Sequence, residues 1–176
     1  MTIDYEDIWH ISNEYRIQQK KEEWLEFLRR LPPSMTILEI GAYNGGCSYS
    51  FLQFADRLIT IDLHRKAKYS LDDPRHTYIG GNSHTPVIEQ QISKLNLSFN
   101  LLFIDGDHTY AGVKQDYRMY SKYLTPTGMC VFHDIVDSEG HRRQNCYVSK
   151  LWNEIKRPES IEIISEPFTW GGIGIL

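Results

Sequence analysis

Apolar and polar positions along this chain fall into blocks, and the period changes from block to block. Over residues 4–31 the apolar positions recur at helical spacing in two stripes: Ile8, Ile11 and Tyr15, then Trp24, Leu25, Phe27, Leu28 and Leu31. The run QQKKEEWLEFLRRL is rich in helix formers, and Pro32 and Pro33 stop it. The pattern predicts a helical lead-in made of two pieces. Beyond it, short apolar runs of strand length alternate with helical patterns. Strands are expected at 35–40, 57–63, 77–79, 99–104 and 129–132. Helices are expected at 48–54, at 85–95 with Pro86 in the first turn, at 110–124 with Val113, Tyr117, Tyr120 and Leu124 on one face, and at 148–155. Apolar runs at 161–164 and 172–176 flank the turn EPFTWGG and predict a final antiparallel hairpin. Residues 64–76 are polar and irregular, so only a reduced crossover helix is expected there. VDSEGHRRQN, after Asp134, reads as a polar loop.

Alternating strands and helices predict a three-layer α/β sandwich. At 176 residues the chain is expected to form a single domain, with a helical lead-in over 1–33 and the core over 34–176. The net charge of −4 gives no electrostatic case for nucleic acid or an anionic membrane. The acidic start MTIDYEDIW has no apolar signal region, and no apolar run approaches membrane-spanning length. Cys47, Cys130 and Cys146 are too few and too scattered for a disulfide framework or a zinc motif, so reduced thiols and a cytoplasmic location are expected.

The chemistry concentrates at strand ends. In NLLFIDGDHTYAGVKQDYRMYSKYLTPTGMCVFHDI one buried strand ends in Asp105, Asp107 and His108, and the next ends in His133 and Asp134. If these strands are parallel neighbours, the groups meet at the carboxyl edge of the sheet, where open α/β sheets bind ligands. Upstream, Gly41, Gly45 and Gly46 make a glycine-rich turn between a strand and a helix, an arrangement that favours a closely approached anion or nucleotide. Asp62 ends the second strand, twenty-one residues after Gly41, where an acid can accept both ribose hydroxyls. Tyr43 stands where a dinucleotide fingerprint needs its middle glycine, which counts against NAD. Glu39, before the turn, suits a cationic ligand better than a pyrophosphate; its plainer reading is a helix cap or a buried, hydrogen-bonded carboxylate. His64 and His84 read equally well as solvated rim histidines, Asp105 and Asp134 as turn or helix caps, and Tyr117, Tyr120 and Tyr123 as core and surface. Arg142 and Arg143 read as a solvated loop pair.

LEIGAYNGG followed by TIDL, then FIDGDHTYAGVKQDY, then VFHDI resembles a class I S-adenosylmethionine-dependent methyltransferase of the methyltransferase domain family 24 type. More narrowly, it is similar to the branch holding sugar and macrolide-sugar O-methyltransferases and cephalosporin-hydroxylase-like methyltransferases. The resemblance covers roughly residue 35 to the C-terminus and implies a Rossmann-like, seven-stranded, mostly parallel sheet whose last strand is antiparallel. It implies that Glu39, Gly41 and Gly45 line the methionine part of the cofactor, with Ala42, Tyr43, Ser48 and Asp105 as further contacts. It also implies that Asp62 binds the ribose and that Asn82 and Ser83 lie near the adenine. In metal-dependent relatives an acid at the Asp105 position and a pair at the end of the next strand hold a divalent ion; here that pair is His133 and Asp134. His133 departs from the acid the relatives carry. Mg²⁺ prefers oxygen ligands, whereas Mn²⁺ accepts imidazole more readily, and loss of metal dependence stays open. By the same resemblance His108, in the D-x-x-H arrangement, is the general base; histidine titrates near neutral pH.

The expected activity is therefore methyl transfer to a hydroxyl of a small acceptor such as a sugar or glycoside, with Mg²⁺ or Mn²⁺ as the candidate ion. Little of the chain is left for a lid, so the acceptor is large and open, or the N-terminal helices or a second copy of the chain complete the pocket. A metal-independent methyltransferase, an NAD-dependent oxidoreductase and a non-catalytic cofactor-binding protein are the alternatives.

Overall fold

The structure, a computed structural model, describes residues 3–63 and 72–176. Helices α1 (Tyr5–Glu14) and α2 (Lys21–Leu28) lead in. They are followed in chain order by β1 (Met35–Ile40), α3 (Gly46–Leu52), β2 (Ala55–Asp62), β3 (His76–Gly80), α4 (Pro86–Lys94), β4 (Phe99–Ile104) and α5 (Tyr110–Tyr120). The chain closes with β5 (Leu124–His133), α6 (Glu139–Arg143), α7 (Val148–Ile155), β6 (Ile161–Ile163) and β7 (Ile173–Ile175). The strands form one seven-stranded sheet in the order β3-β2-β1-β4-β5-β7-β6. Pairings from β3 through β5 are parallel. β7 runs antiparallel to both β5 and β6, so the final hairpin and the reversed last strand are as expected.

The sheet is covered on both faces, which is why its central strands are nearly continuous apolar runs. Side chains alternate across the sheet with the two-residue strand period. Ile37, Leu58, Leu101 and Phe103 face the layer of α1, α2 and α3, while Leu38, Ile59, Ile61, Leu102 and Ile104 face α4, α5 and α7. On the first face the rings of Trp24, Phe27, Phe51 and Phe103 meet largely edge to face at centroid separations of 5.2–6.3 Å. The Trp24 indole N–H donates to Ser50 Oγ at 3.0 Å, and Ser50 shares a 2.7 Å bond with Ser12, which ties the lead-in to α3.

Several boundaries differ from the sequence reading. The helix read over 110–124 ends at Tyr120 and tightens into a 3₁₀ turn over Ser121–Tyr123, so Leu124 begins β5 rather than closing a helical face. β5 is longer than the apolar run at 129–132 because its first half is half-buried or exposed and carries no continuous apolar signal. The loop read after Asp134 contains α6, which is too short to show a helical stripe; Ser138 caps it by accepting from the His141 N–H at 3.1 Å. α3 begins at Gly46 and ends at Leu52, because Gly45 in the left-handed region (φ 92°) turns the chain into the helix early. The expected crossover at 64–76 and His64 lie largely or wholly outside the described residues.

Candidate active site

β1 has neighbours β2 and β4 on its two sides, and the chain builds outward from β1 on one side before returning to β4 on the other. This is the switch point at which the carboxyl ends of parallel strands leave a crevice. A cavity of about 930 Å³ opens there, lined by the ends of β1, β2, β4 and β5 and by the segment between α1 and α2. Its volume is in the range of small-molecule sites.

At one end, the glycine turn makes the crevice. Gly41 has φ 87°, and a Cβ there would lie 2.2 Å from the Asp105 carbonyl oxygen, so the ends of β1 and β4 approach as closely as they do only with glycine between them. Asp62 Oδ2 accepts from the Ala42 N–H at 2.8 Å and the Tyr43 N–H at 2.9 Å, which fixes the acid against the turn. Tyr43 itself holds a left-handed conformation (φ 50°), uncommon for a residue with a side chain. Beyond β3, Gly81, Asn82, Ser83 and His84 continue the lining. The Tyr120 hydroxyl donates to the Ser83 carbonyl at 2.6 Å from beneath, so Tyr120 is a buried prop for this wall.

At the other end, two carboxylates and three imidazoles converge. Asp105 Oδ1 lies 3.1 Å from His133 Nδ1 and 3.2 Å from His108 Nε2, and Asp105 Oδ2 accepts from Gln19 Nε2 at 2.8 Å. Asp134 Oδ1 lies 3.5 Å from His133 Nδ1 and 3.1 Å from His141 Nε2, while its Oδ2 lies 3.5 Å from His108 Nδ1. Asp134 is left-handed (φ 62°), a strained backbone at the point where β5 must aim its last side chains. His141 Nδ1 donates to the Val136 carbonyl at 2.7 Å, which turns Nε2 toward Asp134; the Gly171 N–H reaches the same nitrogen at 3.3 Å. Burial disfavours ionised Asp105, but His133 and His108 outweigh it and hold the carboxyl below the usual range. Burial likewise opposes charge on His108, yet Asp105 and Asp134 push its pKa up to about 9.

The sequence-expected residues separate into two groups, and a third set of lining residues carries no sequence mark. Gly41, Ala42, Tyr43, Asp62, Asn82, Ser83, Asp105, Asp107, His108, His133 and Asp134 all line one cavity. Glu39, Gly45 and Ser48 lie behind its wall instead. Glu39 is fully buried and Oε2 accepts from Ser48 Oγ at 2.5 Å and Thr60 Oγ1 at 2.8 Å, so its side chain knits β1 to α3 and β2 rather than facing the cavity. Arg142 and Arg143 pair with exposed Asp137 and Glu139 and are surface ion pairs. The third group is what the sequence reading missed: Gln19 and Arg16 from the α1–α2 connection, His141 from α6, and Trp170 from the β6–β7 turn. No spacing motif marks any of them, because each enters from a segment that tertiary packing alone brings to the strand ends.

Burial pushes the Glu39 carboxyl up to about 8, against the lowering effect of its Ser48 and Thr60 bonds. Above the unfolded value of 4.5 the unfolded chain releases this proton while the folded chain keeps it, so Glu39 costs stability that grows as pH rises toward 8. Glu39→Gln removes that dependence. In urea unfolding, the stability of the variant relative to wild type is expected to rise by about 1 kcal/mol per pH unit between about pH 5 and pH 8. A difference constant across that window refutes the buried neutral carboxyl.

Comparison with known proteins places this arrangement. A family model described as a methyltransferase domain matches residues 38–135. An uncharacterized protein, R132, of Acanthamoeba polyphaga mimivirus is 29% identical over 147 residues, covering 74% of this chain and 66% of that protein. Among solved structures, the MycE methyltransferase of the mycinamycin biosynthetic pathway, in complex with Mg, SAH and mycinamycin VI, superposes with a TM-score of 0.61 at 19% identity. The superposition covers 73% of this chain and 39% of MycE. The N-methyltransferase NodS from Bradyrhizobium japonicum WM9, in complex with S-adenosyl-L-homocysteine, gives 0.64 at 16% identity with 96% of both chains covered. The present chain thus spans slightly less than two thirds of the mimivirus relative and, in the superposition given, 39% of MycE. The family match takes in the glycine turn, Asp62, the Asp105–His108 segment and the His133–Asp134 pair, over more than half of the sequence, and the chain belongs to the methyltransferase domain family.

Proposed function

We propose that this protein is an S-adenosylmethionine-dependent O-methyltransferase, assisted by a divalent cation, whose acceptor is a small hydroxylated molecule such as a sugar or glycoside. The observation that carries the reading is the division of one cavity into two ends: a glycine turn with an aimed carboxylate at Asp62, and a carboxylate–imidazole cluster at Asp105, His108, His133 and Asp134. The acceptor class follows the resemblance to sugar O-methyltransferases and the likeness to MycE. The whole span 1–176 is read as one domain acting on small molecules in the cytoplasm, and no helix among the described residues is long and apolar enough to cross a membrane.

In this reading Asp62, held by the Ala42 and Tyr43 N–H groups, receives the ribose hydroxyls, and Asn82 and Ser83 face the adenine. Gly41 lets the backbone lie close to the methionyl chain. Methyl transfer is an in-line displacement: the acceptor oxygen forms the new O–C bond as the C–S bond breaks, and the acceptor proton passes to the His108 imidazole. Alignment and proton removal are what the site must supply.

The donor set fits a divalent ion. One ligand atom from each of Asp105, His133 and Asp134 lies within 4.8 Å of the others, and His133 Nε2 is buried without a hydrogen-bond partner. Two carboxylates and an imidazole suit Mn²⁺ better than Mg²⁺. An ion held there would lower the acceptor hydroxyl's pKa and share the carboxylate charge that otherwise keeps a proton on His108.

Thermal unfolding with S-adenosylhomocysteine tests the reading. A ligand at about a hundred times its Kd is expected to add about 2.7 kcal/mol, with a further rise on Mn²⁺ that EDTA abolishes and Mg²⁺ matches only in part. No shift with the nucleoside overturns the cofactor assignment, and a shift with NADH instead revives the oxidoreductase. A metal-insensitive shift together with chelator-insensitive turnover leaves a metal-independent methyltransferase.

A further inference from the structure

Of the three cysteines, Cys146 stands apart. It lies in the connection between α6 and α7, is 4% exposed and lines the cavity. Among the described residues it is the one cysteine that joins a group of metal-ligand type: one ligand atom from each of His108, Asp134 and Cys146 lies within 4.8 Å of the others. Methyl transfer to a hydroxyl gives this thiol no task.

The backbone holds the group together. Asn145, left-handed at φ 59°, turns the chain after α6. The Cys146 N–H then donates to the His141 carbonyl at 2.9 Å, and the Tyr147 N–H donates to the His108 carbonyl at 2.8 Å. The second bond ties the segment that carries the thiol to the segment that carries the imidazole. The Val148 N–H donates to the Cys146 sulfur, a bond that favours the thiolate. Asp134 serves both sides of the cluster, with Oδ1 at 3.5 Å from His133 Nδ1 and Oδ2 at 3.5 Å from His108 Nδ1. It thus presents one oxygen to the Asp105–His133 group and the other to His108.

The two groups differ in chemistry. Asp105, His133 and Asp134 offer two carboxylates and an imidazole. His108, Asp134 and Cys146 offer a thiolate, an imidazole and a carboxylate, a softer set that suits Zn²⁺ held by three protein ligands with a fourth position open.

We propose that His108, Asp134 and Cys146 form a Zn²⁺ site, distinct from the Mn²⁺ group but sharing Asp134 with it. On binding, the thiol proton leaves to solvent and the sulfur coordinates as thiolate. Zn²⁺ on His108 Nδ1 leaves Nε2 to donate to Asp105 Oδ1, 3.2 Å away, the kind of outer partner that metal-bound histidines have. Both nitrogens are then committed, and neither takes a proton from an acceptor. Zn²⁺ at this site is therefore an inhibitor, a consequence that rests on the reading of His108 as base; the binding of the ion does not.

Co²⁺ reports on the site, because a thiolate ligand gives it a charge-transfer band in the near ultraviolet that oxygen and nitrogen ligands do not. The full chain, reduced and freed of metal, is expected to show this band with Co²⁺ and to lose it when Zn²⁺ displaces the cobalt. Cys146→Ala abolishes the band, whereas Cys47→Ala, also in the cavity lining, keeps it. In calorimetric titration Cys146→Ala is expected to weaken Zn²⁺ by about tenfold or more and to leave Mn²⁺ within about twofold. Zn²⁺ added to Mn²⁺-supported turnover, followed as release of S-adenosylhomocysteine, inhibits wild type and spares Cys146→Ala. Absence of the band in wild type overturns the site without need of any variant, so the proposal stays open to refutation should Cys146→Ala fail to fold. A band that survives Cys146→Ala, or equal losses of Zn²⁺ and Mn²⁺ affinity, also overturns it. Equal inhibition of wild type and variant overturns the inhibitory role. A wild-type band in protein that S-adenosylhomocysteine fails to stabilise upholds the Zn²⁺ site and overturns the cofactor reading, and stabilisation without a band does the reverse.

Discussion

His108→Ala is expected to lower methyl transfer by about 10²–10⁴-fold, the usual contribution of a positioned base, while S-adenosylhomocysteine affinity stays within about twofold. The imidazole lies between the two carboxylates, 3.2 Å from Asp105 and 3.5 Å from Asp134, at the opposite end of the cavity from Asn82 and Ser83. Its side chain is 39% exposed, so truncation opens no core cavity, but loss of its charge from between Asp105 and Asp134 is expected to lower the melting temperature modestly at neutral pH. Because the lost interaction belongs to the transition state, kcat and kcat/KM should fall together. Single-turnover measurement at saturating cofactor reads the effect directly. Turnover at the wild-type rate removes His108 from the role of base.

Gly41→Ala is expected to destabilise the fold by about 4 kcal/mol or more, in the range kept for named structural conflicts. The new Cβ meets the Asp105 carbonyl oxygen at 2.2 Å and its carbonyl carbon at 2.5 Å, both backbone atoms that no rotamer change can move. The left-handed φ of 87° adds its own cost for any residue with a side chain. Relief requires β1 and β4 to part, which breaks the Asp105 N–H to Ile40 carbonyl bond of 2.8 Å and displaces the acid it positions. Chemical denaturation should show the loss, and any folded fraction should bind S-adenosylhomocysteine poorly. A variant within about 1 kcal/mol of wild type means the strand ends separate without cost, contrary to the close approach described.

The sheet and its flanking helices were legible in the sequence because buried parallel strands write themselves as apolar runs, as in MTILEI and NLLFI, bounded by glycine and acid. The strand-end cluster was legible for the same reason: Asp105, His108, His133 and Asp134 are fixed by where two such runs stop. Glu39 takes the plainer of its two readings, a buried carboxylate: the same alternation that puts Leu38 and Ile40 on one face turns Glu39 to the other, among Ser48 and Thr60. What stayed hidden are the contacts made by segments without periodicity. Gln19 meets Asp105 across 86 residues, and His141 meets Asp134 from a helix of five residues. Trp170 stands edge-on to His133 at 6.4 Å from a turn whose exposed Phe168 gives no hint of which aromatic faces the cavity. Such meetings depend on tertiary geometry, and no local pattern encodes them.

The wall that carries Trp170 is fastened to the lead-in by one buried acid. Glu23 Oε1 accepts from the Ser165 N–H and hydroxyl, and Oε2 from the Gly172 N–H, all at 2.8 Å and across 142–149 residues. A closure of that span is among the most non-local in the molecule, and such contacts form late because chain entropy opposes them until the rest is in place. During synthesis, therefore, the glycine turn and Asp62 can reach native surroundings while the Trp170 side of the cavity is still unbuilt. A half-made chain of this kind is a crevice with an open side, and the C-terminal hairpin is the part that closes it.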